Sequence, residues 1–315
     1  MIALKPAVRV HRRVAEIGRE GWDACTSNAE YASNPFIGYD FIDALELSGC
    51  AVAQTGWAPH HLAVEDEAGQ VAAVMPLYLK SHSQGEYVFD HAWADAWHRA
   101  GGRYYPKLQI AAPFTPASGP RILSREPALA PHLLRFAEKF AEANALSSIH
   151  ATFVEPAQVP LFEAAGWLIR HDIQFHWQNR GYGSFDDFLG DLASRKRRAI
   201  RKERAAAQEG VVIRRLSGAD ILPEHWDAFW VFYQDTGSRK WGTPYLTRKA
   251  FTRFHETMRN DILLVLAFNG ERPVAGLLCA WYCHNSPQGN ERLPSARDRW
   301  TECLHEISRR HRHLH

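Results

Sequence analysis

The sequence predicts an α/β protein built from two related halves. β-rich and helix-periodic segments alternate along the chain, a strand–turn–strand unit at 61–80 is echoed at 262–282, and 315 residues suffice for two domains with a core each.

In the first half, residues 8–14 alternate loosely as an opening strand. Asn34-Pro35 precedes a helix in which Phe36, Tyr39, Ile42 and Leu45 recur every three residues, closed by Gly49. The hairpin at 61–80 brackets an acidic turn with Gly69. A strand is expected at Lys107–Ala111. A helix over 127–145, opened by Pro127, places Leu133, Phe136, Ala137 and Phe140 on one face. SIHATFV at 148–154 reads as a strand, VPLFEAAG at 159–166 as a short helix, and WLIRHDIQFHWQN at 167–179 as a final strand. The second half begins with one helix over 184–208 and the strand VVIRRL. Helices near 223–237 and 247–259 follow, then a hairpin turning at Asn269-Gly270.

The totals exclude several classes. Hydrophobic content of 46% with 23% charge describes a soluble globular protein, and a net charge of +2 leaves any nucleic-acid argument to local clustering. The N-terminus lacks the apolar core of a secretory signal, and the longest apolar run, Ile262 to Phe268, is far too short for a membrane span. Five irregularly spaced cysteines form no disulfide framework, so a cytoplasmic protein is expected. From Cys279 the composition shifts to six Arg, five His and no Lys, without strand alternation. Residues 279–315 are therefore expected to be an aberrant, poorly ordered tail that leaves the second domain incomplete. Cys279-x3-Cys283 and Cys303-x-His305 have tolerable zinc spacing, but no metal site is expected in so atypical a tail.

Three stretches carry chemistry. Glu86 to Leu123 interleaves rings with charge and ends in a loop stiffened by Pro113, Pro116 and Pro120, as suits the wall of a binding cleft. Its candidates are Asp90, Asp95, Tyr104 and Tyr105 for catalysis, with Trp93, Trp97, Lys107 and Arg121 for substrate. The plainer alternative makes Trp93 and Trp97 the buried stripe of a short helix, with Asp95 and His98 solvated. Residues 194–204 hold seven cations in eleven positions; Arg195, Arg198 and Lys202 share one helical face, and Arg197, Arg201 and Arg204 another. Guanidinium forks match phosphate, so Arg195, Arg198, Arg201 and Lys202 are phosphate candidates. The alternative is a solvated basic helix balanced by Asp186, Asp187 and Asp191. In the third stretch, Asp235, Arg239, Trp241 and Tyr245 beside Gly242 and Pro244 suit either a ligand loop or an ordinary helix end.

Four blocks together resemble the FemAB-like, GNAT-type N-acyltransferases, a family associated with peptidoglycan biosynthesis or recognition. They are the run 86–123, PFIGYDFIDALE at 35–46, SFDDFLGDLASRKRRAIRKER at 184–204 and YQDTGSRKWGTPYLTR at 233–248. The resemblance implies tandem GNAT-like domains, here 1–178 and an incomplete 179–278, with substrate held between them. It implies transfer of an acyl group to an amine, directly, since no activated nucleophile is evident. Asp90 or Asp95 would take the amine proton, with His91 and His98 as rivals, while a tyrosine hydroxyl serves the oxyanion or the leaving group. No bound cofactor is implied; acyl-CoA or aminoacyl-tRNA would be the co-substrate, and a small molecule or cell-wall precursor the acceptor. Arg99-Ala100-Gly101-Gly102 only begins the pyrophosphate loop of ordinary acetyl-CoA-binding relatives, which counts against CoA. A peptidoglycan-binding module without catalysis and an inactive remnant are the alternatives from other classes.

Overall fold

The computed structural model describes residues 7–27, 34–239 and 243–280. Strand β1 (Val8–His11) leads into helices α1 (Val14–Ile17), α2 (Arg19–Thr26) and α3 (Tyr39–Leu47). The first two are too short for a periodicity argument and were not expected. Helix α3 buries Asp43 and Glu46 beside its apolar face. Glu46 is satisfied there, accepting from Val14 N at 2.9 Å and from His61 Nε2 at 2.7 Å. Because His61 Nδ1 accepts the Leu77 amide (3.2 Å), the imidazole proton sits on Nε2.

The expected first hairpin is longer than its apolar pattern and is broken midway. Its arms are β2 (Trp57–Pro59) with β3 (His61–Glu65), and β4 (Val71–Met75) with β5 (Leu77–Lys80). Pro76 has no N–H to give a ladder, and each arm divides between two sheets at this point. Strands β1, β3 and β4 join β7 (Leu123–Ser124) in one antiparallel sheet; β2 and β5 join β6 (Lys107–Ile110) and β8 (Ile149–Ala151) in the other, where β6 and β8 run parallel. Between β5 and β6 lies α4 (His91–Arg99). Helices α5 (Ala130–Ala143) and α6 (Val159–Ala164) cover the strands. Leu133, Leu134 and Ala137 of α5 and Phe162 of α6 close a core with Leu62, Val64, Met75, Leu77, Leu108 and Ile110. Each such buried aliphatic side chain contributes roughly 1.5–3 kcal/mol.

Two expectations about continuity fail. Residues 167–179 form no strand: they pair with nothing in a ladder, and Leu168, Ile173 and Phe175 face solvent. Alternation supplied a pattern, but a strand also needs a partner edge. The long basic helix is two, α7 (Phe185–Gly190), capped by Ser184 on the Asp187 amide, and α8 (Ser194–Gln208).

The chain divides into two units, but not at residue 178. The first takes the described residues to Arg170 together with Gly237–Asp261, and the second His171–Thr236 with Ile262–Ala280. The return of Gly237–Asp261 has a packing cause. Helix α9 (Pro223–Arg239) precedes α10 (Arg248–Met258), and α10 lies on α3. Phe254 stacks on Phe41 (5.9 Å), and Arg253 reaches Asp43 at 3.5 Å. Thr247 caps α10 and donates to Ser48 O at 3.1 Å. In the second unit β9 (Val212–Leu216), β10 (Ile262–Asn269) and β11 (Arg272–Ala280) form an antiparallel sheet of order β11-β10-β9, with β10 buried along its length to Phe268. Its hairpin turns at Asn269-Gly270 as expected, Gly270 taking φ +60°. Trp241 and residues 281–315, most of the expected tail, lie outside the described residues. Among the described residues no helix is long and apolar enough to cross a membrane.

Candidate functional site

Strands β5 and β6 pair so that Lys80 stands directly opposite Lys107, and both are wholly buried. Two ammonium groups facing each other without water would repel strongly unless carboxylates sit between them. The connection from β5 to β6 supplies those carboxylates. Lys107 Nζ donates its three protons to Ser83 Oγ (2.8 Å), Glu86 Oε2 (2.8 Å) and Asp90 Oδ2 (2.7 Å). Lys80 Nζ donates to Gln84 O (3.2 Å), lies 3.8 Å from Glu86 Oε1 and sits 3.6 Å over the Trp57 ring.

The hydroxyls order the rest. Asp90 only accepts, so Ser83 donates to Asp90 Oδ2 (2.8 Å) and takes in return the Tyr105 hydroxyl proton (2.8 Å). Tyr104 also donates to Asp90 Oδ2, at 2.9 Å. Glu86 Oε1 and Asp90 Oδ1 are buried without a hydrogen bond.

Burial and neighbours separate the proton affinities of the network. Burial alone would raise Asp90, but the Lys107 charge and the hydrogen bonds from Lys107, Ser83 and Tyr104 outweigh it and hold the carboxyl below its usual range. Burial raises Glu86, with Lys107 opposing. Burial draws Lys80 down to about 7; Glu86 resists this and Lys107 adds to it. Burial and then the Asp90 hydrogen bond push Tyr104 up. His150 on β8, edge-on to Tyr104, is lowered to about 4 by burial and by Lys107, so its imidazole is neutral at pH 7.

An aromatic wall continues from Trp57. Phe114 lies 5.0 Å from Trp57, Tyr245 stacks on Phe114 at 5.4 Å, and Tyr87 meets Tyr245 edge-on at 6.4 Å. Tyr87 and Phe114 both hold left-handed backbone, φ 56° and 59°, which costs bulky residues about 1–3 kcal/mol each and persists only where packing over-determines it. Gly85 is what admits Phe114: it has φ +80°, and a Cβ there would lie 2.6 Å from Phe114 Cδ1. Gly85→Ala is therefore expected to destabilise the chain by about 1–3 kcal/mol and to weaken the near-UV dichroism of the wall, read in one thermal melt.

The model of the FemAB-like family, described as peptidoglycan biosynthesis/recognition, matches residues 13–284. The chain belongs to the FemAB-like family. Among solved structures, FemX is similar at 17% identity and a TM-score of 0.40, over 79% of this chain and 56% of FemX. The aminoglycoside 6'-N-acetyltransferase AAC(6')-Ih from Acinetobacter baumannii is similar at 12% identity and a TM-score of 0.33, over 56% of this chain and all of that enzyme. A search of curated protein sequences returns no match.

In this FemAB-like chain the network gathers four of the expected residues, Asp90, Tyr104, Tyr105 and Lys107, and Tyr245 joins the aromatic wall. His91, Trp93, Asp95, Trp97 and His98 all lie on α4 and are exposed. The buried-stripe alternative for the two tryptophans thus fails. Arg121 is fully buried, its guanidinium spent on the carbonyls of Thr152 (2.7 Å), Ala117 (2.7 Å) and Pro120 (3.3 Å), and burial lowers it to about 10. It clamps the proline loop. On α8, Arg195, Arg198 and Lys202 are exposed and have no ion-pair partner among the described residues, whereas Arg201 bonds Asp186 at 2.8 Å. Asp235 and Arg239 are exposed near the end of α9. Lys80, Ser83 and Glu86 were not singled out; the polar turn at 83–86 after an apolar strand was the available signal for the last two. Among the described residues no group of three His, Cys, Asp or Glu side chains is arranged to hold a metal.

Proposed function

We propose that this protein is an N-acyltransferase of peptidoglycan biosynthesis, acting in the cytoplasm, whose chemistry belongs to the segment from Lys80 to Phe114. The observation that carries this reading is the desolvated Lys80–Glu86–Lys107–Asp90 network. Strongly perturbed titratable groups cluster at functional sites, and this network concentrates them on one connection. Family membership favours the same reaction class.

Within it the roles shift from those expected. Asp90, held low by three hydrogen bonds, is a poor proton acceptor, and Tyr104 is a poor acid. Lys80, near 7, and Glu86 beside it have the proton affinities suited to a base at neutral pH; both are buried, so this role requires the segment between β5 and α4 to open and admit the amine. Tyr105, half-buried at the margin, would serve a developing oxyanion by turning its one hydroxyl proton away from Ser83. The exposed Arg195, Arg198 and Lys202 would meet the phosphates of the acyl donor, acyl-CoA or aminoacyl-tRNA.

Thermal melts of the full chain with acyl-CoA thioesters and with aminoacyl-tRNA test the reading. A donor at a hundred times its Kd stabilises by about 2.7 kcal/mol. A thioester shift assigns acyl-CoA. A tRNA affinity that falls steeply with salt and is lost on replacing Arg195, Arg198 and Lys202 by alanine assigns aminoacyl-tRNA. Neither response, together with no acyl transfer to a cell-wall precursor, overturns the proposal.

A further inference from the structure

The connection between β5 and β6 is fixed to the body at both ends. On one side Gln84 O accepts from Trp57 Nε1 (3.0 Å) and Lys80 Nζ (3.2 Å), and Gly85 O accepts from Phe114 N at 3.2 Å. On the other, Ser147 donates its hydroxyl to Tyr104 O and its amide to Pro106 O (3.2 Å). Between these anchors, residues 86–102 include only two that are buried, Glu86 and Asp90, and both close on Lys107. Beyond them, Tyr87 meets Tyr245 edge-on and Phe89 O accepts from Arg170 at 3.3 Å. Helix α4 has no buried residue. It closes on itself: Gly101 and Gly102 give their amides to His98 O and Trp97 O (3.0 Å each). The Trp97 ring lies so close to Gly102 that a Cβ there would be 2.3 Å from Nε1, so the helix and its closing glycines form one piece.

We propose that residues 86–102 are a charge-latched lid, which swings on Gly85 and on the Gly102–Arg103 junction and uncovers Lys107 and Lys80 while the rest of the fold stays closed. The inference rests on the transferase reading above and adds the gate by which an amine reaches Lys80. A loop held by apolar side chains forfeits their burial when it lifts. This one forfeits ion pairs instead, and their attraction in the interior is largely offset by the water taken from each charge. Lifting gives that hydration back. It also wets Glu86 Oε1 and Asp90 Oδ1, which have no hydrogen bond when the lid is down. The closed and open arrangements therefore lie close in free energy. What stays behind keeps partners: Lys107 retains Ser83 Oγ, and Lys80 retains Gln84 O and the Trp57 ring. The hinge positions suit the motion, since Gly85 already holds φ +80° and Arg103 is exposed.

The test labels the full chain under native conditions, amines with acetic anhydride and thiols with iodoacetamide, and reads each site by peptide mass spectrometry. Each rate is divided by that of the urea-unfolded chain to give a protection factor. Lys107 reports the lid, and the buried thiols of Cys25 and Cys50 report unfolding of the body. Lys107 is expected to be at least about tenfold (~1.4 kcal/mol) less protected than either thiol, as a local opening is cheaper than a global one. Glu86→Gln and Asp90→Asn each remove one charge of the latch. Each should lower Lys107 protection roughly tenfold further while the thiols stay as they were. Equal protection of Lys107 and the thiols in the parent overturns the lid. So does a Lys107 factor that the two variants move only in step with the thiols, which would mean that the network opens only as the body unfolds. Acyl transfer is measured separately. Transfer by a chain whose Lys107 is as protected as its thiols sinks the lid and leaves the transferase, and an opening lid without transfer does the reverse.

Discussion

Lys107→Met is expected to lower the unfolding free energy by about 3–5 kcal/mol, the cost of removing one partner from a buried ionic group. The ammonium of Lys107 satisfies Glu86 Oε2, Asp90 Oδ2 and Ser83 at once, and all four groups are shielded from water. Methionine keeps the volume and removes the charge, so two carboxylates remain buried with only Lys80, 3.8 Å from Glu86 Oε1, to oppose them. The chain can escape by protonating one carboxylate, and the loss should therefore shrink as the pH falls toward 4. Urea unfolding measures it: the midpoint should drop while the slope stays unchanged. Adding Glu86→Gln and Asp90→Asn to Lys107→Met should restore part of the stability, because neutral amides are cheaper to bury than carboxylates. A midpoint unmoved by Lys107→Met would mean that water enters the network, and the low-dielectric premise behind its proton affinities would go with it.

The sequence made the network half legible. Asp90, Tyr104, Tyr105 and Lys107 stand out because polar and aromatic residues crowd one stretch. Lys80 does not, because its place depends on the β5–β6 register, which pairs it with Lys107 across an intervening connection that contains a helix. No spacing rule carries that information. The Trp93/Trp97 period gave the helix correctly but not its surroundings, since a four-residue repeat is the same whether a face meets core or water. Residues 167–179 alternate as a strand should and still lack a partner, and α10 joins the first unit through contacts with α3 that lie some two hundred positions back in the chain. Local pattern fixed most element types, including both hairpins. Pairing and unit membership are long-range properties and were read only where a turn enforced them.

Lys80 should make the protein more stable in mild alkali than at neutrality. In the unfolded chain its ammonium keeps its proton to about pH 10.4, whereas in the folded chain it releases it near 7. Below 7 both states are protonated and the fold bears the whole cost of the buried charge. Between 7 and about 10 the unfolded chain binds more protons than the folded one, so the unfolding free energy climbs with pH, by an amount on the order of a few kcal/mol. Asp90 works at the other end: its carboxyl is lowered on folding, so its contribution is present above about pH 3.9 and is lost as the pH falls through its folded value. Lys80→Met isolates the alkaline limb. It leaves Glu86 Oε2 and Asp90 on Lys107, so the variant should be at least as stable as the parent near pH 6.5 and should lack the parent's rise toward pH 9.5. The difference between the two urea midpoints across that range removes the titration of groups the chains share. A parent profile that parallels Lys80→Met would mean that Lys80 keeps its charge in the fold. The role of base would then fall to Glu86, whose carboxyl burial already raises.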